Sequence, residues 1–389
     1  MVAAQLPFEQ PDPLRVAPRQ RELQAQGGLH RVRTAVGDEA WLVTGHARVR
    51  QLLDDERLGR AHPAPETAAR TGDSALFGGP LGNFATERAD HARMRALLRP
   101  HFSPKRMLAL RPRIEALTVR LLDELAQGSP ADLHAALAVP LPILVICELL
   151  GVPYEDRDLF RSWTADAANT RDRARSERGL AELFGYCGTL VARKRQEPGD
   201  DVISRLCATD GVDDAEAAGL SMALLFAGHE TTVVQIGLGA LLLLANPGQW
   251  QALVDDPALV STAVEEILRA PGEGTGGLPR YARTELEIDG VTIRAGDLVL
   301  LDISAANHDP AVFAEPQHAD ITRAGPAHLR FGHGARYCLG APLARVELQV
   351  VFAQLAARFP TLRLAVDVAD LSVRRDALAG GLTELPVRW

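Results

Sequence analysis

One cysteine stands among glycines just ahead of an apolar helical pattern, and that run constrains this chain more than any other. Residues 331–345 read FGHGARYCLGAPLAR, with Phe331 at the start and Gly332, Gly334 and Gly340 around Cys338. Glycine turns the backbone through positive φ and lets it lie close against a flat ligand. A cysteine where a helix begins faces unpaired N–H groups and the positive end of the helix dipole. Both favour thiolate over thiol. A lone cysteine beside a turn is ordinarily a structural thiol. The spacing Phe-Gly-x-Gly-x-x-x-Cys-x-Gly, followed at once by a helix, argues instead for a sulfur presented to a ligand.

The rest of the composition limits where such a site operates. The four cysteines, Cys147, Cys187, Cys207 and Cys338, form no CxxC pair and fit neither a zinc site nor a disulfide framework. That spacing suits a reducing cytoplasm. A net charge of -8 over 389 residues argues against a general binder of nucleic acid or anionic membrane. The N-terminal stretch carries Pro7, Pro11, Pro13 and Pro18 with scattered charges, unlike the basic-then-apolar order of a signal peptide. The long apolar stretch from Leu220 to Ala245 is interrupted by His229, Glu230, Thr231, Thr232 and Gln235. It reads as a core helix rather than a membrane span.

Patterning along the chain predicts one mainly α domain, 1–389, with a small β portion. Residues 31–44 read as two strands joined at Gly37-Asp38, residues 284–301 as a hairpin turning at Asp289-Gly290, and 370–389 as a possible hairpin around Gly380-Gly381. Helical periodicity covers 46–55, 88–99, 104–127, 140–150, 155–169, 176–196, 213–245, 257–269 and 339–358. The stretch 61–86, rich in Pro, Gly, Thr and Ala, predicts a long loop, of the kind that is usually functional or mobile.

Two further motifs lie on those helices. AGHETT, residues 227–232, puts Glu230 and Thr231 inside the long apolar helix, where buried polar groups are costly without partners. The Thr231 hydroxyl can bond a preceding carbonyl and loosen the helix locally. VEEILR, residues 264–269, places Glu266 and Arg269 on one helical face; an exposed pair of that kind contributes roughly a few tenths of a kcal/mol.

Together these motifs resemble the cytochrome P450 family, over about residues 30 to 389, and most closely in the Cys338 loop. The resemblance implies a P450 fold, a triangular helical domain with haem b between a long central helix and the cysteine loop. It implies Cys338 as axial ligand of the iron, and a thiolate ligand pushes electron density towards iron and favours O–O cleavage. Phe331, Gly332 and Gly340 would shape the haem loop, and His91, Arg95, Arg280 and Arg336 would hold the two haem propionates. Arg336 departs from the histidine common at its position but keeps the charge and a bidentate fork. Glu230 and Thr231 match the acid-alcohol pair that delivers protons, with Glu230 where many relatives have aspartate. Glu266 and Arg269 take a structural role, buried behind the haem loop and tied to Asn307 or its surroundings. His229 and His333 stay unassigned.

The implied reaction inserts one oxygen atom from dioxygen into an apolar small molecule, by hydroxylation or epoxidation. The short, Ala- and Arg-rich chain resembles the actinobacterial members that tailor macrolides, other polyketides and terpenoids. It carries no flavin or nicotinamide fingerprint, so electrons from NAD(P)H would arrive through a ferredoxin and ferredoxin reductase. Arg93 and Arg99 are candidates for a basic patch that receives such a partner. The pocket would be lined by 61–86, 160–190, Ala223 to Thr231, the small-residue segment 272–279 and the tail near Leu382. The chain is expected to act as a cytoplasmic monomer. Two rivals share the motifs: the same scaffold carrying out desaturation, ring coupling or rearrangement, and a non-catalytic haem-binding sensor. The Glu230-Thr231 pair argues against the sensor, which needs no buried proton relay.

Overall fold

A computed structural model describes residues 3–270, 276–325 and 327–389. The chain forms two compact units, one of Met1–His91, Leu238–Cys338 and Val366–Val373, the other of Ala92–Gly237, Leu339–Ala365 and Arg374–Trp389. Helix is the dominant element in the chain as a whole, with small sheets beside it.

The first unit is built on a six-stranded sheet. Its order is Ala4–Gln5, Leu29–Arg33, Glu39–Val43, Leu298–Leu301, Leu278–Ala282, Leu58–Gly59. The second and third strands are the expected hairpin, with Val32 opposite Ala40 and Gly37 at φ 91° in the turn. Leu298–Leu301 is apolar at every position because both its faces are covered. Leu298 and Leu300 pack with Val32 and Leu42 on one side, Val299 and Leu301 with Val43 and Val49 on the other. The turn at Asp289-Gly290 joins Leu286–Ile288 to Val291–Ile293, with Ile288 opposite Val291. Both turn residues have positive φ, 52° and 77°, as a two-residue hairpin requires. The two-residue strands at Ala4–Gln5 and Leu58–Gly59 escape sequence reading because they are too short to show alternation.

The loop 61–86 is pinned along its length. The Tyr281 hydroxyl donates to the Ala69 carbonyl at 2.6 Å, and the Arg70 N–H donates to Asp38 Oδ2 at 2.8 Å. Gly78 packs so tightly on the same loop that a Cβ would lie 2.4 Å from the Ser74 carbonyl oxygen. It is a loop folded on itself rather than an open strap.

The second unit is helical. The stretch 104–127 is two helices, Pro104–Ala109 and Arg111–Leu125, not one. Pro112 sits in the first turn of the second helix, where its missing N–H costs nothing, but it cannot continue a helix begun earlier. Pro140–Leu150 and Arg157–Ala167 follow, then Arg173–Gln196, which starts early because the Asp172 side chain accepts the Arg175 N–H at 2.9 Å. A three-stranded sheet of Arg363–Leu364, Pro386–Arg388 and Ala131–Asp132 closes the tail. The turn at Gly380-Gly381 is closed by the Arg374 N–H donating to the Gly381 carbonyl at 2.8 Å. The helix Asp214–Leu244, which spans the division between units, is long and apolar enough to cross a membrane by length and composition. Yet 78 % of its most apolar window is buried inside the fold, as a core helix requires.

Helices Arg157–Ala167 and Arg173–Gln196 pack backbone to backbone at Gly179, where a Cβ would lie 2.5 Å from the Ala167 nitrogen and 2.6 Å from the Trp163 carbonyl oxygen. Neither atom can move without moving a helix. Gly179→Ala is expected to destabilise the protein by about 1–3 kcal/mol, the range for overpacking a filled contact, read as a lowered midpoint in urea unfolding.

Candidate active site

The cysteine loop belongs to the first unit and is shaped by its own backbone. The Cys338 N–H donates to the Phe331 carbonyl at 2.8 Å, Gly332 N–H to Leu329 O at 2.9 Å, and Tyr337 N–H to Gly334 O at 3.1 Å. Gly332 and Gly334 sit at φ 74° and 68°, conformations that favour glycine. Gly334 also leaves no room for a side chain, since a Cβ would fall on the Asp54 carboxylate, which accepts the Ala335 N–H at 3.3 Å. Gly340 differs: its φ is -79°, and it serves as the N-cap of Ala341–Arg358 rather than as a strained turn. That helix starts two residues later than its pattern suggests. Cys338 is exposed, while Cys147, Cys187 and Cys207 are buried. Burial pushes the Cys147 and Cys187 thiols up to about 12. Those two are unreactive, whereas Cys338 is the exposed cysteine of the four. Phe331 lies beside Tyr337, with ring centroids 6.2 Å apart. His333 precedes the single turn Gly334–Arg336.

Glu266 and Arg269 carry the loop from beneath. Both are buried, and Arg269 grips the carboxylate through two bonds of 2.7 Å. Arg269 also donates to the Asn307 carbonyl at 2.9 Å and the Pro316 carbonyl at 3.0 Å. Arg323 and the Asp320 N–H complete the shell of Glu266, at 3.1 Å and 3.0 Å. The Asn307 side chain accepts the Leu329 N–H at 2.7 Å, three residues before the Gly332 turn. This is a buried network, not the exposed pair that the i,i+3 spacing alone would suggest.

Next to the loop, the first unit gathers more positive charge than it neutralises. Glu87, 7 % exposed, accepts from Arg336 and from Arg283 at 3.0 Å, and from the Arg60 N–H at 2.7 Å. Arg280 is buried as well and donates to the neighbouring Pro279 carbonyl at 2.8 Å. Burial, then Arg60 and Arg336, pull the Arg280 guanidinium down to about 9. Burial and Arg336 pull Arg60 to about 10, and its Nε is buried with no partner among the described residues. Four guanidiniums thus act on one another around one carboxylate, and two of them, Arg283 and Arg336, bond it. Such a cluster is stable only beside additional anions, and the carboxylates of haem are groups of that kind. Arg60, Arg283 and Glu87 were not legible in the sequence, because nothing local marks which residues of an Arg-rich chain converge. Arg336 is partly committed to Glu87. His91 and Arg95, one turn apart on Glu87–Leu98, are both half-buried. Residues 272–275 of the small-residue segment lie outside the described residues.

The acid-alcohol pair belongs to the second unit. The Thr231 hydroxyl donates to the Ala227 carbonyl at 3.0 Å, and the side chain is exposed. The hydroxyl thus makes the expected bond to a preceding carbonyl, within a helix that runs from Asp214 to Leu244. Glu230 is 6 % exposed and accepts from Arg374 at 3.1 Å. His229 is more buried still, its Nδ1 3.9 Å from Glu230 Oε1 and its ring edge-on to Phe160. Desolvation outweighs the attraction of Glu230 and pushes His229 down to about 4, so it is neutral. Arg93 is exposed and paired on the surface, binding Glu216 through two bonds of 2.6 Å and the Gly211 carbonyl through a third. Arg99 is exposed.

Relatives of known identity match this chain from end to end. The family model for Cytochrome P450 matches residues 249–366. Pentalenolactone synthase of Streptomyces exfoliatus is 43% identical over 99% of this chain and 98% of its own length. The chain belongs to the cytochrome P450 family. The mycinamicin IV hydroxylase/epoxidase of Micromonospora griseorubida is 40% identical, over 98% of each chain. Among solved structures, the substrate-free P450 epoxidase of the polyene macrolide pimaricin superposes with a TM-score of 0.90 at 42% identity, covering all of both chains. A putative thioether synthase of griseoviridin tailoring does so with a TM-score of 0.93 at 36% identity. This P450 is therefore a haem-iron monooxygenase with the family's mainly helical fold.

Removing one partner of a buried pair strands the other charge. Glu266→Ala in this P450 is expected to cost about 3–5 kcal/mol and to lower haem retention, checked by denaturant unfolding and by haem content after gel filtration.

Proposed function

We propose that this P450 hydroxylates or epoxidises a large, mostly apolar secondary metabolite, with both units acting as one catalytic domain. The observation that carries the reading is the exposed Cys338 sulfur on a loop held by the Glu266–Arg269–Asn307 network. Haem b, when bound, would supply the iron centre at which dioxygen, two electrons and two protons give one oxygen atom in the product and one water. Cys338 holds the iron, with Phe331, Gly332 and Gly340 shaping its loop. Arg280, Arg336, His91 and Arg95 bind the haem carboxylates, joined by Arg60. Glu87 meanwhile keeps Arg336 and Arg283 in place. Thr231, exposed and donating its hydroxyl proton to Ala227, presents its oxygen to hold the water that delivers protons. Glu230, bonded to Arg374, connects that position to solvent.

The substrate class rests on the relatives, whose names include a macrolide hydroxylase/epoxidase, a polyene macrolide epoxidase and pentalenolactone synthase. Leu159 and Phe184 stand exposed on helices Arg157–Ala167 and Arg173–Gln196, where a mobile lid over an apolar substrate would carry them. Electrons from NAD(P)H come through a ferredoxin and its reductase in the cytoplasm. Arg93 and Arg99 are the candidate contacts for that acidic partner.

Reduced protein with carbon monoxide bound is expected to show the strongly red-shifted Soret band of a thiolate-ligated haem, and Cys338→Ser to lose it. A histidine-type band in the wild-type protein would overturn the ligand assignment. Thr231→Ala is expected to reduce product formed per electron pair by on the order of 10-fold or more, with the lost electrons appearing as peroxide; full coupling in that variant would remove Thr231 from proton delivery.

A further inference from the structure

Two aromatic contacts join the loop 61–86 to the cationic cluster at Glu87. The Arg60 guanidinium lies over the Phe77 ring, 4.7 Å from its centroid, and the Arg283 guanidinium lies over Phe84 at 4.0 Å. Arg283 is firmly bonded as well, donating to Glu87 at 3.0 Å and to the Phe84 carbonyl at 2.7 Å. Arg60 differs. Its guanidinium reaches the Leu76 carbonyl at a long 3.4 Å, and its Nε is buried without a partner among the described residues. A guanidinium offers only donors, and burial makes an unsatisfied one costly. The contact that orients this group is the Phe77 ring.

Both partners are placed by their own backbones. Arg60 follows the strand Leu58–Gly59, and the missing side chain at Gly59 lets Glu87 in, since a Cβ there would lie 2.6 Å from Glu87 Oε2. Glu87 accepts the Arg60 and Ala61 N–H groups at 2.7 and 3.2 Å, and the Arg60 carbonyl accepts the Leu81 N–H at 3.0 Å. Phe77 stands in a closed turn. The Thr71 N–H donates to the Gly78 carbonyl at 2.7 Å, and the Thr71 hydroxyl to the Phe77 carbonyl at 2.9 Å. Ser74, buried at the centre, accepts the Leu76 and Phe77 N–H groups on its Oγ at 3.2 and 3.4 Å. The turn 71–78 therefore moves as one piece and carries Phe77 with it. On its other side Arg60 acts on Arg280, Arg336 and Glu87, the charges beside the cysteine loop.

We infer that Phe77 is a positioning residue for haem: its ring holds the Arg60 guanidinium ready for the haem carboxylates, which couples the turn 71–78 to haem binding. The inference rests on the reading of Arg60 as a haem-carboxylate ligand. A cation–π contact away from water favours one placement of the cation. Without the ring, Arg60 regains rotamers that an anion must freeze again on binding, so the anion is held less firmly. A fixed cation beside the haem carboxylates also favours the reduced iron, which carries one positive charge fewer, so loosening Arg60 lowers the reduction potential. The coupling is reciprocal. Haem steadies the turn, and a substrate that shifts the turn changes how firmly haem is held.

Haem transfer to apomyoglobin, the ferric–ferrous potential and amide hydrogen exchange of residues 71–78, all measured on the haem-loaded protein, test this in Phe77→Leu, Phe77→Tyr, Arg60→Gln and the Phe77→Leu/Arg60→Gln double variant. Phe77→Leu is expected to release haem several-fold faster and to shift the potential downward, while Phe77→Tyr, which keeps the aromatic face, stays near wild type. Arg60→Gln is expected to shift both in the same direction and to speed exchange in the turn several-fold. Adding Phe77→Leu to Arg60→Gln is expected to change haem release no further. A Phe77 that merely fills space would act equally in both backgrounds, and that result would overturn the inference, as would an unchanged potential in Phe77→Leu. Should Phe77→Leu fail to fold, exchange in the turn decides, and an unchanged rate in Arg60→Gln overturns the coupling. If Arg60→Gln alters haem release and potential while Phe77→Leu does not, the link through Phe77 fails alone; if neither alters them, the reading of Arg60 as a haem-carboxylate ligand fails as well.

Discussion

The first unit depends on a carboxylate and a guanidinium placed where neither is stable alone. Glu266 and Arg269 are each about 2 % exposed, and isolated charges at such a depth would cost many kcal/mol. Every polar edge of the pair is therefore occupied: Arg269 by the Asn307 and Pro316 carbonyls, Glu266 by Arg323 and the Asp320 N–H. These partners come from the segment leading into the cysteine loop, so satisfying the pair fixes that segment. Asn307 extends the same network to Leu329 and thus to the turn that presents Cys338. A buried pair of this kind contributes little net stability compared with apolar packing. Its value here is that it admits one arrangement of the loop.

A second electrostatic imbalance is left open rather than closed. Around Glu87 the cations outnumber the carboxylate, and Arg60 and Arg280 hold their protons less firmly than free arginine does. A protein evolved only for stability would pair or discard such charges. Under the proposed assignment a dianionic group would complete the cluster on binding, and haem would then add to the stability of the unit that holds it.

The second unit keeps its polar groups for a different use. Glu230 is buried but ion-paired, His229 is buried and neutral, and Thr231 is exposed with its hydroxyl bonded back to the helix. Carboxylate, imidazole and alcohol at successive positions point around the helix in three directions, so one short motif serves three environments.

The sequence by itself pointed to the reaction class through a family resemblance, legible because the motifs that carry it, the Cys338 loop and the Glu230-Thr231 pair, are local runs of a few residues. It also determined most helices and the two hairpins, since periodicity and turns such as Asp289-Gly290 act over short range. Only the tertiary structure decided which charges meet. Arg93, legible as a free basic residue, is spent on Glu216, 123 positions away, and Arg374 reaches Glu230 across 144. Glu87 reads as an ordinary helix-surface acid until Arg283 and Arg336 close over it. Packing that joins distant segments leaves no period or spacing in a single chain. The partner of a long, flexible arginine is therefore settled only when the fold brings a carboxylate within its reach.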